Sequence, residues 1–193
     1  MSTPCEIAFE KIERFGDKLV IEAIRSSDDF FAASDFQKKA YGVCSLFHHA
    51  GANGLRAVFD CNHCDGPCVF LAALGALKEM GAERFHKIAQ DYWDRITESA
   101  RDAGIFVPSE ISNGKRSDFY DIYDFWMKKD SGFCETLQEL SELGGEFVSC
   151  WESELPELAI KWIEKQTEPN QAVQTTAITP PPSTTRGAPL SDL

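Results

Sequence analysis

The sequence predicts an all-α protein, a compact bundle of six to eight helices with a disordered C-terminal tail. Three observations lead there. Apolar residues recur three and four apart along most of residues 1–166, which is the period of a helix face. No segment alternates apolar and polar residues over the length of a strand. From Thr167 to Leu193 the chain turns to Thr, Pro, Ser, Ala and Gln around the run Pro180-Pro181-Pro182. That composition has too few large apolar side chains for burial to offset the entropy of ordering. The expected organisation is therefore a helical domain over 1–166 and a Pro/Thr-rich tail over 167–193.

The elements follow in order. Ile7, Ile12, Phe15, Leu19 and Ile24 mark one face of a helix within Cys5–Ile24. Asp35 precedes a second, Phe36 to Ala50, with Tyr41, Cys44, Leu46 and Phe47 apolar. Pro67 suits the first turn of a third helix and Gly81 its end. Val69 to Leu77 is apolar nearly all round, the pattern of a central helix. Gly75 inside it costs about 1 kcal/mol relative to alanine, which a close helix crossing would explain. Ala82 to Ala103 carries the stripe Phe85, Ile88, Ala89, Tyr92, Trp93 and Ile96, and Gly104 ends it. Ile105 to Arg116, with Pro108, Asn113 and Gly114, reads as a loop. Ser117 or Asp118 is placed to cap the next helix, which holds Phe119, Ile122 and Trp126. Leu137, Leu140 and Leu143 then repeat until Gly144-Gly145, where the pattern is expected to break. A last helix starts near Glu146. Pro156 must kink or divide it, and Leu158 to Lys165 completes it.

Composition narrows function. The 193 residues hold 31 Asp and Glu against 19 Lys and Arg, a net charge of -12, which disfavours direct nucleic-acid binding. No apolar run is long enough to span a bilayer, and Met1–Phe15 lacks the basic start and apolar stretch of a signal peptide. Seven cysteines, an odd number, argue against a secreted disulfide framework, so a cytoplasmic protein is expected.

The most chemical-looking stretch is His48-His49 followed by Cys61-Asn62-His63-Cys64-Asp65-Gly66-Pro67-Cys68. Cys61 and Cys64 have the spacing that lets two thiolates share a zinc ion, and Cys68, His48, His49 or His63 would have to complete a tetrahedron. A second chelating pair is missing. Cys68 falls on an apolar helix, where a free thiol behaves as a small hydrophobe. The expectation is no metal and no cofactor, with a zinc-stabilised domain as one alternative. Nothing supplies a nucleophile with its base. His86 stands alone on a helix, and Glu152 and Glu154, two residues apart, would not face each other. No enzyme is expected.

Charge is concentrated late in the chain. Between Asp118 and Lys165 there are twelve carboxylates and four lysines, or -8 of the -12. Asp118, Asp121 and Asp124 recur every three residues, and Glu135, Glu139, Glu142 and Glu146 every three or four. Like charges at that spacing weaken a helix by a few tenths of a kcal/mol each, so local stability does not account for them. Solubility is one account. The other is a basic partner, for which rows of carboxylates stand in for the phosphates of DNA. These seven residues are the candidate partner-binding set.

The stretch Tyr41–Gln90 resembles the DNA-mimic protein 19-like family of small acidic helical bacterial proteins. Gly54, Leu55 and Phe59 fall on its glycine–phenylalanine signature. Leu71 to Ala82 is similar to its Ala/Leu helix and turn, and Phe85 to Ala89 continues it. The family's paired Asn would fall on Gly51 and Ala52, its Gln on Ala57 and a further Asn on Cys61, so the polar part of the signature is changed. The resemblance implies an all-helical fold, homodimerisation, and a DNA mimic that occupies a basic DNA-binding partner such as a transcription factor. An immunity or antagonist protein blocking a toxin or nuclease is the alternative reading of the same acidic residues.

Overall fold

A computed structural model of the chain describes residues 10–11, 14, 24–50, 54–61, 65–129, 142–148 and 154–174. All regular structure among them is helical. We number the helices α1 (Ser27–Ala32), α2 (Asp35–Ser45), α3 (Arg56–Cys61), α4 (Gly66–Glu79), α5 (Glu83–Asp102), α6 (Arg116–Lys129), α7 (142–148) and α8 (Leu155–Gln174). A π-helical turn, Leu46–Ala50, prolongs α2, and a 3-10 turn, Ile111–Asn113, interrupts the loop before α6. Most of the expected Cys5–Ile24 helix, together with Leu137 and Leu140, lies outside the described residues, as do 175–193 of the expected tail.

The all-round apolar pattern of α4 has the meaning its sequence suggests. Cys68, Val69, Phe70, Ala72, Ala73, Leu74, Ala76 and Leu77 are buried, and α2, α3, α5 and α6 all pack on this one helix. At its heart Phe70 lies 4.8 Å from Phe59 of α3 and stacks at 6.0 Å on Trp93 of α5. The amphipathic stripe of α5 (Phe85, Ile88, Ala89, Tyr92, Trp93, Ile96) is buried throughout.

The helix ends are set by local chemistry. Gly81 and Gly104 both take positive φ, 71° and 80°. Each closes a Schellman motif: Ala82 N–H bonds to the Leu77 carbonyl and Gly81 N–H to that of Lys78, while Ile105 and Gly104 do the same to Ala100 and Arg101. At the start of α2 the cap is Ser34, and the helix opens at Asp35 rather than at Phe36. Ser34 and Gln37 form a reciprocal capping box, which satisfies two backbone donors. Pro156 sits in the first turn of α8, where its missing N–H has no intrahelical partner to lose.

Three expectations need correction. The close helix crossing belongs to Gly42, not Gly75. A Cβ on Gly42 would stand 2.5 Å from the backbone nitrogen of Ala73, whereas one on Gly75 would meet only the Lys39 side chain, at 3.1 Å. Gly144-Gly145 does not break the chain's helical course, because 142–148 is one helix. Gly144 there lies over the Gly54–Leu55 turn, where a Cβ would stand in ordinary contact, 3.6 Å from Leu55 N. Phe147 beside it is buried edge-on against Phe85, with ring centroids 5.5 Å apart. The last helix, finally, runs through Thr167 to Gln174. Extending a formed helix needs no new nucleus, and Glu168, Gln171, Ala172 and Gln174 are good helix formers, although Pro169 among them removes one backbone donor.

One polar knot ties three helices. Lys39 of α2, only 18% exposed, bonds to Asp35 and lies 2.6 Å from Glu79 Oε1 of α4. The other oxygen of Glu79 accepts the indole N–H of Trp162 on α8 at 3.2 Å. Phe36 of α2 packs on the same indole, with centroids 5.4 Å apart. Burial opposes the charge on Lys39, but the hydrogen bonds to Asp35 and Glu79 outweigh it and hold the ammonium above the usual lysine pKa.

A candidate acidic interface

The seven carboxylates singled out from the sequence are distributed as follows. Asp118, Asp121 and Asp124 lie on α6, and Glu142 and Glu146 are exposed on α7. Glu135 and Glu139 lie outside the described residues. On α6 the three aspartates have separate duties. Asp118 accepts the backbone N–H of Lys115 at 2.8 Å, half of a capping box, so α6 starts at Arg116 rather than after Ser117 or Asp118. Asp124 forms an ion pair with Lys128 one turn on. Asp121 is exposed and has no ion-pair partner among the described residues. Arg116 reaches away from this row, to Asp28 of α1 at 2.6 Å.

Glu142 and Glu146 meet a second set of acids that sequence reasoning missed. They line an open groove of about 610 Å³ with Leu143 and with Asp91, Asp94, Arg95 and Glu98 of α5. The groove walls carry five carboxylates and one guanidinium, a balance of four negative charges. Arg84, at the start of α5, stands 3.9 Å from Glu146 and joins the two walls at one end. The signal was in the sequence: 91, 94, 95 and 98 are spaced three and four apart on the side of α5 opposite its apolar stripe. What the sequence could not give is that α7 lies alongside.

Charges this close to solvent act on one another within about 8 Å at physiological salt, so several facing the same groove reinforce one potential. The groove can attract and orient a cationic surface. Among the described residues that line it there is no nucleophile paired with a base.

The cysteine–histidine stretch is placed in part. His48 and His49 occupy the π turn with rings edge-to-face, 4.9 Å between centroids. Partial burial, and secondarily the neighbouring His48, hold the His49 imidazole below the usual histidine pKa. His86 is lowered too, by burial and then by Lys78. Cys68 is buried in the first turn of α4, its thiol donating to the Asp65 carbonyl at 2.9 Å. The Asp65 carboxylate accepts the Ser27 hydroxyl. His63, Cys64 and the side chain of Cys61 lie outside the described residues. Among the described residues no three His, Cys, Asp or Glu side chains are grouped to hold a metal ion, and no helix is long and apolar enough to cross a membrane.

Gly54, Leu55 and Phe59, which carry the family resemblance, are structural. Gly54 takes φ 74° before α3, and Leu55 and Phe59 are fully buried. Compared with known proteins, the chain matches no family model, no curated protein and no solved structure.

Proposed function

We propose that the protein is a non-enzymatic acidic docking protein that binds a basic protein partner. The observation that carries this reading is the groove between α5 and α7, where carboxylates from two separate stretches of chain converge on one open depression. A merely solubilising charge has no need to converge; repulsion favours spreading it. Five carboxylates around one groove match a surface that binds phosphates through Lys and Arg, so a DNA-binding protein is the partner class favoured. The resemblance to DNA-mimic proteins agrees with that choice.

The test is affinity capture at low and high salt with wild-type protein and with the triple variant Asp94→Lys, Glu98→Lys, Glu146→Lys. All three residues are on the surface, so the fold should persist. The expected result is recovery of DNA-binding proteins by wild type at low salt, their loss at high salt, and their displacement by duplex DNA. The variant should recover none of them. Equal recovery by wild type and variant would refute the reading. Recovery of a nuclease toxin in place of a transcription factor would make the protein its antagonist through the same groove.

A further inference from the structure

Three large apolar side chains stand out into solvent among the described residues: Phe106 (60% exposed), Tyr120 (53%) and Met127 (45%). Phe106 stands at a cleft, whereas Tyr120 and Met127, two turns apart on α6, are not among the residues that line it. Phe106 comes from the loop after α5. With Ile105 and Phe125 it forms the apolar part of this cleft of about 390 Å³, whose charged wall is Asp121, Asp124 and Lys128. Single exposed apolar residues are ordinary, but an exposed Phe106 set over a cleft whose wall holds Ile105 and a second aromatic, Phe125, marks a docking surface.

Charge decides the occupant. Asp124 is paired with Lys128, which leaves Asp121 as the charge the cleft offers, in a chain of net charge -12. A second copy would bring the same negative rim and the same net charge against this one. We propose that the cleft takes a basic amphipathic segment of the partner: a large apolar side chain inserted against Phe106 and Phe125, with a flanking Lys or Arg on Asp121. This rests on the docking reading above and names what the partner presents. The geometry joins the two surfaces. Gly104, at the cleft, follows Glu98, at the groove, by six residues along α5 and its end, about 9 Å at the helical rise. An extended segment of three or four residues spans that distance.

The experiment is panning of a random peptide display library on the full chain, followed by anisotropy titration of the enriched peptides. The expected peptides carry Lys or Arg beside an aromatic or branched aliphatic residue. Phe106→Ser should weaken them at least tenfold without altering thermal unfolding, since the side chain is exposed. Asp121→Lys should weaken them similarly, and a peptide with its flanking Lys changed to Glu should recover affinity for that variant. Enriched basic peptides that are sensitive to Asp94→Lys and Glu98→Lys but not to Phe106→Ser would overturn the cleft proposal and leave the docking reading standing. Enrichment of no basic peptide would overturn both. A wild-type dimer in sedimentation that Phe106→Ser dissolves would identify a second copy as the occupant and overturn the proposal.

Discussion

Replacing Gly42 with alanine tests the centre of the fold. The added Cβ would stand 2.5 Å from Ala73 N, 2.9 Å from Ala73 Cα and 3.0 Å from the carbonyl carbon of Ala72. Ordinary contact starts near 3.4 Å, so α2 and α4 must part by close to 1 Å locally. All three atoms are backbone, and no rotamer change relieves them. These two helices share the most extensive helix–helix contact in the structure, and a gap of 0.5–1 Å forfeits about a quarter to a half of each atom pair's attraction. Overpacking of this kind costs about 1–3 kcal/mol or more, and alanine's better helix propensity returns about 1. The net expectation is a loss of about 2 kcal/mol, or roughly 4–8 °C in melting temperature for a chain of this size. Urea unfolding followed by circular dichroism reads it directly, with the slope unchanged. Gly75→Ala is the control. Its Cβ meets the movable Lys39 Cε at 3.1 Å, so this variant should stay within about 1 kcal/mol of wild type or gain stability. A Gly42→Ala protein as stable as wild type, or a Gly75→Ala protein less stable than Gly42→Ala, would refute the reasoning.

Further outcomes follow from the same geometry. Ser34→Ala removes the capping box of α2 and should destabilise by about 1 kcal/mol, checked by the urea midpoint. Trp162→Phe leaves Glu79 without its indole donor and should lose more stability than Trp126→Phe, because the buried Trp126 N–H has no partner to lose. The pH dependence on the alkaline side comes from Lys39 and Tyr41. Both folded pKa values lie above their usual ones, for Tyr41 through burial and then the nearby Asp65 charge. Their contribution is therefore complete below the usual Lys and Tyr values, near pH 10, and is lost as pH rises through the raised ones. Urea midpoints from pH 8 to 12 should fall less steeply in Lys39→Met and Tyr41→Phe. On the acid side the lowered His49 and His86 have the opposite sign. Their contribution is present above the usual histidine value and is lost as pH falls through the lowered one, so His86→Gln should flatten the decline below about pH 6.5.

Much of the fold was legible because its signals are local. A helix apolar on all sides has nowhere to sit but the middle, and α4 is there. The glycines at 81 and 104 do what a glycine after an apolar stripe usually does. Two of the errors share a cause: each involved glycines whose setting depends on what lies across from them. Gly75 and Gly42 both interrupt helical stretches, and the sequence carries no mark that one faces a lysine stem and the other a neighbouring backbone. Gly144-Gly145 resembles a break for the same reason. Its partner, the Gly54–Leu55 turn, is about ninety residues away in sequence.

The acidic residues show where local periodicity stops being informative. A step of three residues on a helix turns through about 300°, so carboxylates at 118, 121 and 124 spiral round α6 by about 60° each time. That is enough for one to cap the helix, one to pair with Lys128 and one to face the Phe106 cleft. Carboxylates spaced three and then four apart hold one face, and this is the pattern at 91, 94 and 98, on a helix whose apolar stripe is its louder signal. Glu142 and Glu146, one turn apart, supply the opposite wall. A convergent negative feature thus arises among the described residues where two modest runs from distant parts of the chain are brought side by side, while the regular run at 118, 121 and 124 is divided among separate tasks. Charge-swap variants on α5 should accordingly weaken a basic partner more than the same number of swaps at Asp118 and Asp124, whose carboxylates are already engaged. An equal effect from the two sets would mean that net charge, and not the groove, governs binding.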